Sequence, residues 1–176
     1  MKNKVLKLLI QEDYEKGVEE LLGLPARQVV NPLFSFFYSS DEKIKQRAVT
    51  AMGIVVSKLA EDDIESARVV MRRLMWNLND ESGGIGWGSP EAMGEIMARS
   101  GKLADEYHCI LISYIREDGN FIEYEALQRG VLWGLERLAN ARPELVRNAA
   151  DFIIPFLKSE DPVLCKLAHG ILKSVS

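Results

Sequence analysis

Apolar residues recur along this chain with the spacing of one face of an α-helix. Ile44, Ala48 and Ala51 begin one such stripe, in which an apolar side chain returns every three or four residues up to Leu59. Further stripes with this spacing cover positions 64–78, 103–114 and 145–156. No window shows the strict alternation of apolar and polar residues that is typical of a half-buried strand. The pattern therefore predicts an all-α protein.

A longer period of about 40 residues is superimposed on the helical spacing. Four aspartates that follow apolar helix ends mark this period, and so do four glycines inside the helices that come next. The aspartates are Asp41, Asp80, Asp118 and Asp161, and the glycines are Gly53, Gly94, Gly134 and Gly170. Because glycine inside a helix costs about 1 kcal/mol relative to alanine, its recurrence indicates that neighbouring helices approach closely at these positions.

This period divides a single domain into repeats of two helices each. The predicted repeats cover residues 25–60, 63–99, 101–141 and 143–175. Residues 1–23 contain enough apolar positions for one or two short helices. We expect these helices to cap the first repeat, since a terminal repeat must cover its neighbour-facing surface.

Two segments of the chain carry a resemblance to a known family. Residues 41–53 resemble the second helix of a HEAT repeat of the PBS-lyase HEAT-like (armadillo-type) variety, in which an acid opens the turn and small residues precede a glycine. Residues 161–172 resemble the same helix, with Asp-Pro at the turn. The chain is also similar to small bacterial HEAT-like proteins that carry a Trp-x-Leu-x-acid-Glu-Ser-Gly segment, here residues 76–83.

The resemblance implies an α–α superhelix, that is, a HEAT-like solenoid of about four helical hairpins with N-terminal capping helices. It also implies a ladder of Asp–Arg pairs between neighbouring repeats. Asp41 and Arg47 are the residues of this chain that match that ladder.

Charge and cysteine content narrow the class of protein. A net charge of −4 over 176 residues and an isoelectric point near 5.3 argue against a nucleic-acid partner, whose phosphates usually require a basic surface. Cys109 and Cys165 lack paired spacing, which indicates reduced thiols. The N-terminal residues are too charged for a signal peptide, and no apolar run reaches the roughly 20 residues that span a bilayer. We therefore expect a cytoplasmic protein without a membrane partner.

Residues 79–91 interrupt the helical pattern with four glycines and a tryptophan. Ser89, Pro90 and Glu91 predict the next helix start, with serine as the N-cap, proline at the first helical position and an acid in the first turn. The loop is therefore expected to hold Trp87 at the N-terminus of the helix that contains Gly94.

An acidic, aromatic pocket at this loop is the main hypothesis for a binding site. It combines two indole rings, four carboxylates, and two arginines that either offset the acids or anchor a carboxylate. The candidate residues are Trp76, Asp80, Glu81, Trp87, Glu91, Glu95, Arg72 and Arg73. Glu91 and Glu95 lie one turn apart, so we expect their carboxylates to converge.

Three interpretations of this loop remain open. The pocket suits a Lys or Arg side chain of a partner through charge pairing and cation–π contact. The same oxygens suit Ca²⁺ or Mg²⁺. Alternatively, the loop is only structural: it folds back over its repeat, Trp87 fills a gap, and the carboxylates are solvated.

Outside residues 79–91, the sequence gives little support for a metal site or for a catalytic nucleophile. His108, Cys109, Cys165 and His169 are residue types that bind zinc. Adjacent side chains such as His108 and Cys109 point about 100° apart on a helix, and no Cys-x-x-Cys pair occurs, so we interpret these residues as packed side chains. Neither histidine has a serine or cysteine partner at a recognisable spacing, and the sequence therefore provides neither catalytic residues nor a cofactor site.

The sequence as a whole favours a non-catalytic, protein-binding scaffold or adaptor whose partner is a protein or peptide. The acids of the loop favour a basic partner. One alternative is a ligand-binding or lyase-like enzyme, because HEAT-like bilin lyases act on tetrapyrroles with this architecture. Another is a purely structural role.

Overall fold

The structure of the protein is a computed structural model, and its description here covers residues 1–79 and 85–176. The described residues form helices and no strands, as the apolar spacing predicts. The helices are α1 (Lys2–Ile10), α2 (Tyr14–Leu22), α3 (Ala26–Phe36), α4 (Glu42–Asp62), α5 (Ile64–Asn77), α6 (Ser89–Arg99), α7 (Gly101–Ser113), α8 (Glu125–Ala141), α9 (Pro143–Val146), α10 (Ala150–Ile153) and α11 (Pro162–Val175). Two 3₁₀ segments, Arg147–Ala149 and Ile154–Lys158, interrupt the region between α9 and α11.

The helices stack as successive hairpins in two layers. Helices α4, α6, α8 and α11 pack against one another in chain order and form one layer. Helices α3, α5 and α7, followed by the short segments after α8, form the other layer, and each packs against the helix that follows it. The all-α prediction of four hairpins with N-terminal capping helices is therefore confirmed.

Aspartate side chains begin several of these helices. The Asp41 carboxylate accepts the Lys43 backbone N–H at 2.9 Å and so caps α4. Asp161 caps α11 by accepting the Val163 N–H at 2.9 Å. Each contact satisfies a backbone donor that has no partner within its own helix. Asp118 differs, because its carboxylate pairs with Arg116 at 2.7 Å instead of capping a helix.

The four mid-helix glycines lie where helices of the same layer touch. A Cβ on Gly53 would come within 2.7 Å of the Glu95 Cβ, and a Cβ on Gly134 within 2.5 Å of the Pro90 carbonyl oxygen. A Cβ on Gly94 would overlap the Gly134 backbone. The close approach inferred from the glycine period is confirmed, and it accounts for the tolerated loss of helix propensity.

The N-terminal cap is fixed by Arg47 of α4. Its guanidinium donates to the backbone carbonyls of Leu9 at 2.7 Å and Gln11 at 2.8 Å, and it stacks 4.8 Å from the centre of the Tyr14 ring. Asp41 and Arg47, the residues that match the Asp–Arg ladder implied by the resemblance, have other contacts in this structure: Asp41 caps α4, and Arg47 reaches the end of α1.

An Asp–Arg pair of the expected kind does occur further along the chain. Arg129 of α8 donates from Nε to Asp161 at 2.5 Å, and Asp161 is buried. This contact joins two successive hairpins, since Arg129 lies near the start of α8 and Asp161 is the N-cap of the neighbouring helix α11.

The fourth hairpin departs from the predicted continuous helix at positions 145–156. Its first half is broken into α9, α10 and the two 3₁₀ segments. Pro155 explains the second interruption, because proline has no N–H to donate and its ring clashes with the carbonyl four residues earlier.

Candidate functional site

A groove of about 920 Å³ opens between the second and third hairpins. The C-terminal turns of α5 and α7 form one side, and the segment between α7 and α8 forms the other. Three aromatic side chains line it and remain accessible: Trp76 is 56% exposed, Tyr124 53% and Phe121 38%. We call this the aromatic groove. Exposed rings in a concavity are the usual anchors of a binding site.

A second groove of about 620 Å³ lies beside the first, and Phe121 lines both. Its rim carries four carboxylates and its floor is apolar. The acids are Glu117, Asp118, Glu125 and Asp151, and the floor includes Ile115, Phe152, Pro155, Phe156 and Leu164. We call this the acidic groove. Arg116 pairs with Asp118, and Arg129 contacts Glu125 at 3.6 Å, so Glu117 and Asp151 contribute most of the unbalanced negative charge.

Arg72 and Arg73 occupy different surroundings, although both were expected beside the acidic loop. Arg72 lines the aromatic groove and pairs with Glu65 at 2.6 Å. Arg73 instead donates to the Asn31 amide oxygen at 2.5 Å and stacks 4.0 Å from the Phe34 ring centre. Arg73 therefore holds α5 against α3. The two arginines reach different neighbours because successive residues on a helix point about 100° apart.

Trp87 lies at the junction of three hairpins. Its ring meets Tyr124 edge-on with 5.8 Å between centroids, and the Lys45 ammonium lies 5.3 Å from the indole centre. Trp87 is half-buried, so it is neither sealed in the core nor fully free. Since Tyr124 also lines the aromatic groove, it connects Trp87 with the groove that contains Trp76.

Two glycines, Gly86 and Gly88, allow the end of the loop that carries Trp87 to pack closely against the helices beside it. Gly86 and Gly88 have φ of 71° and 72°, a region that favours glycine. A Cβ on Gly86 would come within 2.5 Å of the Asn77 carbonyl oxygen, and one on Gly88 within 2.7 Å of the Phe37 ring. The backbone can therefore pass close to α5 and α3 only because neither position has a side chain.

The start of α6 differs from the prediction. Gly88, not Ser89, is the N-cap, so Ser89 and Pro90 are the first two helical residues. The Ser89 hydroxyl is buried and makes no hydrogen bond within the described residues. A serine placed one position inside the helix cannot accept the N–H groups that an N-cap serine would reach.

The carboxylate of Glu91 faces α8 and does not line the aromatic groove. A Cβ on Gly130 would come within 2.7 Å of its carboxyl carbon, and its Oε2 is buried without a hydrogen bond among the described residues. Burial raises the pKa of this carboxyl above its ordinary value, while the charge of Lys45 acts in the opposite direction.

Glu95 is buried between two arginines. It accepts a hydrogen bond from Arg137 Nε of α8 at 3.0 Å, and it also pairs with Arg99 one turn later on α6. Glu95 is thus occupied by two arginines, and the expected convergence of Glu91 and Glu95 on a shared ligand stays a prediction. Neither residue lines the aromatic groove, because the face that carries them packs against α4 and α8.

Asp80 and Glu81 lie outside the described residues, so their position relative to Trp76 stays a prediction. Among the residues that are described, no group of three or more His, Cys, Asp or Glu side chains is arranged to hold a metal ion. No helix in the described part of the chain has the length and apolarity needed to cross a membrane.

The sequence analysis did not predict the aromatic residues of the first groove or the acids of the second. Tyr124 and Phe121 follow the Asp-Gly-Asn turn at 118–120 and belong to no helical stripe. Glu117 and Asp151 are distant in sequence and line the same groove because the third and fourth hairpins pack together. Asp-Gly-Asn is a turn signal, and the aromatic residues that follow it were the available hint.

Comparisons with known proteins agree with this architecture. No known protein-family profile matches the chain. An uncharacterized protein from Archaeoglobus fulgidus is 28% identical over 117 residues, which are 66% of this chain and 55% of the relative. The chain thus spans about half the length of that relative.

Solved structures resemble nearly the whole chain. An engineered protein matches with a TM-score of 0.54 and 16% identity, covering 99% of this chain and 78% of the other. A designed armadillo repeat protein matches with a TM-score of 0.51 and 14% identity, covering 98% and 81%. An archaeal HEAT-like repeats protein from Thermococcus onnurineus NA1 has a TM-score of 0.44 and 15% identity, covering 99% and 80%.

The chain has the fold of a helical repeat solenoid, similar to that of the designed armadillo repeat protein. Such folds present extended surfaces built from successive hairpins. The curated relative is archaeal, so the resemblance to bacterial proteins stays a prediction.

Proposed function

We propose that this HEAT-like repeat protein is a non-catalytic scaffold or adaptor that binds a basic segment of another protein. The binding site consists of the aromatic groove and the acidic groove, which meet at Phe121. The observation that carries the proposal is the exposure of Trp76 and Tyr124 in a groove that continues into an acid-lined one.

The aromatic groove supplies the anchoring contacts in this proposal. Its rings are large, rigid and accessible, and rings of this kind dominate the energetics of protein interfaces. Trp87 supports Tyr124 from behind through their edge-on contact. Arg72, which lines the groove, is positioned to contact a partner carboxylate or carbonyl.

The acidic groove supplies the charge selectivity. Glu117 and Asp151 lie in its lining, where the neighbouring Arg116 and Arg129 are already paired with Asp118 and Glu125, and Arg116 also stacks 4.9 Å from the Phe152 ring centre. A Lys or Arg side chain of the partner would place its charge next to a carboxylate of the rim, while its aliphatic stem and an apolar neighbouring residue would cover the apolar floor. Asp80 and Glu81 are proposed to add two further carboxylates near Trp76.

Panning of a random peptide display library against the purified protein tests this proposal. We expect enriched peptides to combine Lys or Arg with aromatic or aliphatic residues. Trp76→Ala should abolish their binding at any salt concentration, and Asp151→Lys should weaken it roughly tenfold, an effect that shrinks at high salt because charges are screened. Val69→Ala, at another exposed apolar position of α5, serves as the matched control and should leave binding unchanged.

Circular dichroism of each variant separates lost binding from lost folding. Enrichment of acidic peptides, or peptides that bind Trp76→Ala as tightly as the unmodified protein, would reject the proposal.

A small-molecule site is the second candidate, because the aromatic groove has a volume within the range of ligand pockets, about 300–1,000 Å³. Titration with porphyrins and bilins, followed by visible absorbance, tests this alternative. A spectral change that disappears in Trp76→Ala would favour it over the peptide. We also propose a cytoplasmic location, which agrees with the two unpaired cysteines.

A further inference from the structure

The helix α1 carries a basic stripe on its exposed side. Asn3, Lys4, Lys7 and Ile10 are exposed and together cover about 120° of the circumference of α1, while the opposite side of the helix is buried. Ile10 is 55% exposed. Neither Lys4 nor Lys7 pairs with a carboxylate among the residues that the structure describes. We call these four residues the basic stripe.

The basic stripe and the acidic groove have opposite charges. Residues 1–11 contain three lysines and no Asp or Glu, although the chain as a whole has a net charge of −4. Residues 117–125, which supply most of the acids of the groove, contain four Asp or Glu and no Lys or Arg. Arg116, just before this segment, is already paired with Asp118. The two surfaces are therefore complementary in charge.

The side chains of the stripe also match the groove in their chemistry. Lys7 and Ile10 lie about one turn apart on α1, so a cation and an aliphatic side chain are presented together. The lysine ammonium suits the carboxylates of the rim, and Ile10 suits the apolar floor. With a volume of about 620 Å³, the groove has room for a few side chains, and the backbone of α1 would stay outside it.

A molecule cannot place its basic stripe in its own acidic groove. The helix α1 packs against α2, α3 and α4, and Arg47 of α4 holds its end through the Leu9 and Gln11 carbonyls. The groove is lined by the third and fourth hairpins, and the second hairpin lies between them and α4. A basic stripe that occupies the groove must therefore come from a second copy of the chain.

We propose that the acidic groove binds the basic stripe of a second copy of this chain, so that the copies associate head to tail. This inference rests on the proposed function, because it uses the same groove and names the molecule that supplies the basic segment. Since the two surfaces differ, each dimer keeps one free stripe and one free groove, and association continues into a ring or a chain. Only one side of a nine-residue helix takes part, so the interface belongs to the weak, concentration-dependent class.

Sedimentation velocity of the full chain measures this association. The weight-average mass should rise above the monomer value of 19.8 kDa between about 10 µM and 1 mM protein, and the rise should shrink at high salt because charges are screened. Two charge-reversal variants each alter one surface. Lys4→Glu with Lys7→Glu reverses the stripe, and Glu117→Lys with Asp151→Lys reverses the groove. Each variant alone should stay monomeric while its circular dichroism shows a folded protein.

An equimolar mixture of the two variants tests the contact directly. The groove variant keeps an unaltered stripe and the stripe variant keeps an unaltered groove, so the mixture should associate at concentrations where neither component does. Lys102→Glu with Lys173→Glu is the matched control, because these lysines are exposed on α7 and α11 and line neither groove. This control should associate like the unmodified chain.

Three results would overturn the inference: a chain that stays monomeric over the whole concentration range, association that persists in either variant alone, or a mixture that stays monomeric. The proposed function fails separately, when the peptide library yields no basic peptides. If basic peptides bind and the chain stays monomeric, the groove takes a segment of a different protein and only the self-association is rejected.

Discussion

Gly94 of α6 and Gly134 of α8 face each other where their helices cross. A Cβ on Gly94 would overlap both the Cα and the carbonyl oxygen of Gly134, and a Cβ on Gly134 would come within 2.5 Å of the Pro90 carbonyl oxygen. Backbone atoms of the second and third hairpins are thus in direct contact. No side chain can rotate to relieve an added methyl group there, so the two glycines set the spacing of these hairpins.

Substitution of Gly94 by alanine should therefore destabilise the protein. We expect Gly94→Ala to lower the free energy of unfolding by about 1–3 kcal/mol, because overpacking outweighs the gain in helix propensity. Chemical denaturation followed by circular dichroism measures the change. Gly170→Ala is the control: its added methyl would meet only the Glu136 carboxylate, which can swing away, so stability should change little. Equal losses at both positions would contradict this explanation.

The stability of the protein should depend on the protonation of Glu91. Burial raises its pKa in the folded state, so the protonated form favours folding. This contribution is fully present below the ordinary glutamate pKa and is lost as the pH rises through the raised value. Glu91→Gln should therefore be more stable than the unmodified protein at neutral pH, with the difference shrinking towards about pH 4. Denaturant titrations at a series of pH values provide the measurement, and a Glu91→Gln protein that is less stable at neutral pH would refute it.

Substitution of Glu95, one turn later, by glutamine should lower the stability of the protein, whereas substitution of Glu91 should raise it. Its carboxylate is buried between Arg99 and Arg137, so Glu95→Gln leaves two guanidinium groups without their counter-charge. We expect a loss of about 3 kcal/mol in the free energy of unfolding at neutral pH. Thermal unfolding of both glutamine variants side by side gives the comparison. Similar behaviour of the two would mean that their surroundings are not as different as described.

Removal of the Arg47 side chain should release the N-terminal cap before the rest of the molecule unfolds. In Arg47→Ala the carbonyls of Leu9 and Gln11 lose a charged donor, at a cost of about 1.5–3 kcal/mol for each hydrogen bond. Hydrogen exchange should accelerate in α1 and α2 while α6 and α8 stay protected. Arg27→Ala, which removes an exposed contact with Asp63, is the control and should leave exchange in the cap unchanged. Uniform acceleration over all helices would argue against a separately released cap.

Most of the fold follows from patterns that repeat along the chain. The apolar stripes predict the helices, and the glycines at 53, 94, 134 and 170 predict where helices touch, because both signals come from local geometry. The break after α10 was missed because a stripe alone does not report the effect of Pro155. The prediction of Ser89 as the N-cap was wrong because Gly88, with a positive φ, takes that position.

The sequence predicted less of the candidate site than of the fold. Trp76 and Arg72 do line a groove, but Glu95 is paired with Arg137, a residue of the next hairpin that no local spacing connects to it. Cys109 Sγ lies 3.2 Å from His108 Nε2, although adjacent helical side chains were expected to point apart, because the contact depends on side-chain rotamers that a helical-wheel argument does not include. Residues that meet only through tertiary packing lie beyond any periodic pattern.

The ring contact between Trp87 and Tyr124 gives the molecule a built-in optical reporter. Tyr124 borders the aromatic groove, where Trp76 is also exposed, so an occupant of that groove would change the surroundings of two indoles at once. Trp133 is partly buried against the core and borders neither groove. Its emission would therefore act as an internal reference, and intrinsic fluorescence could follow occupancy of the groove without any added label.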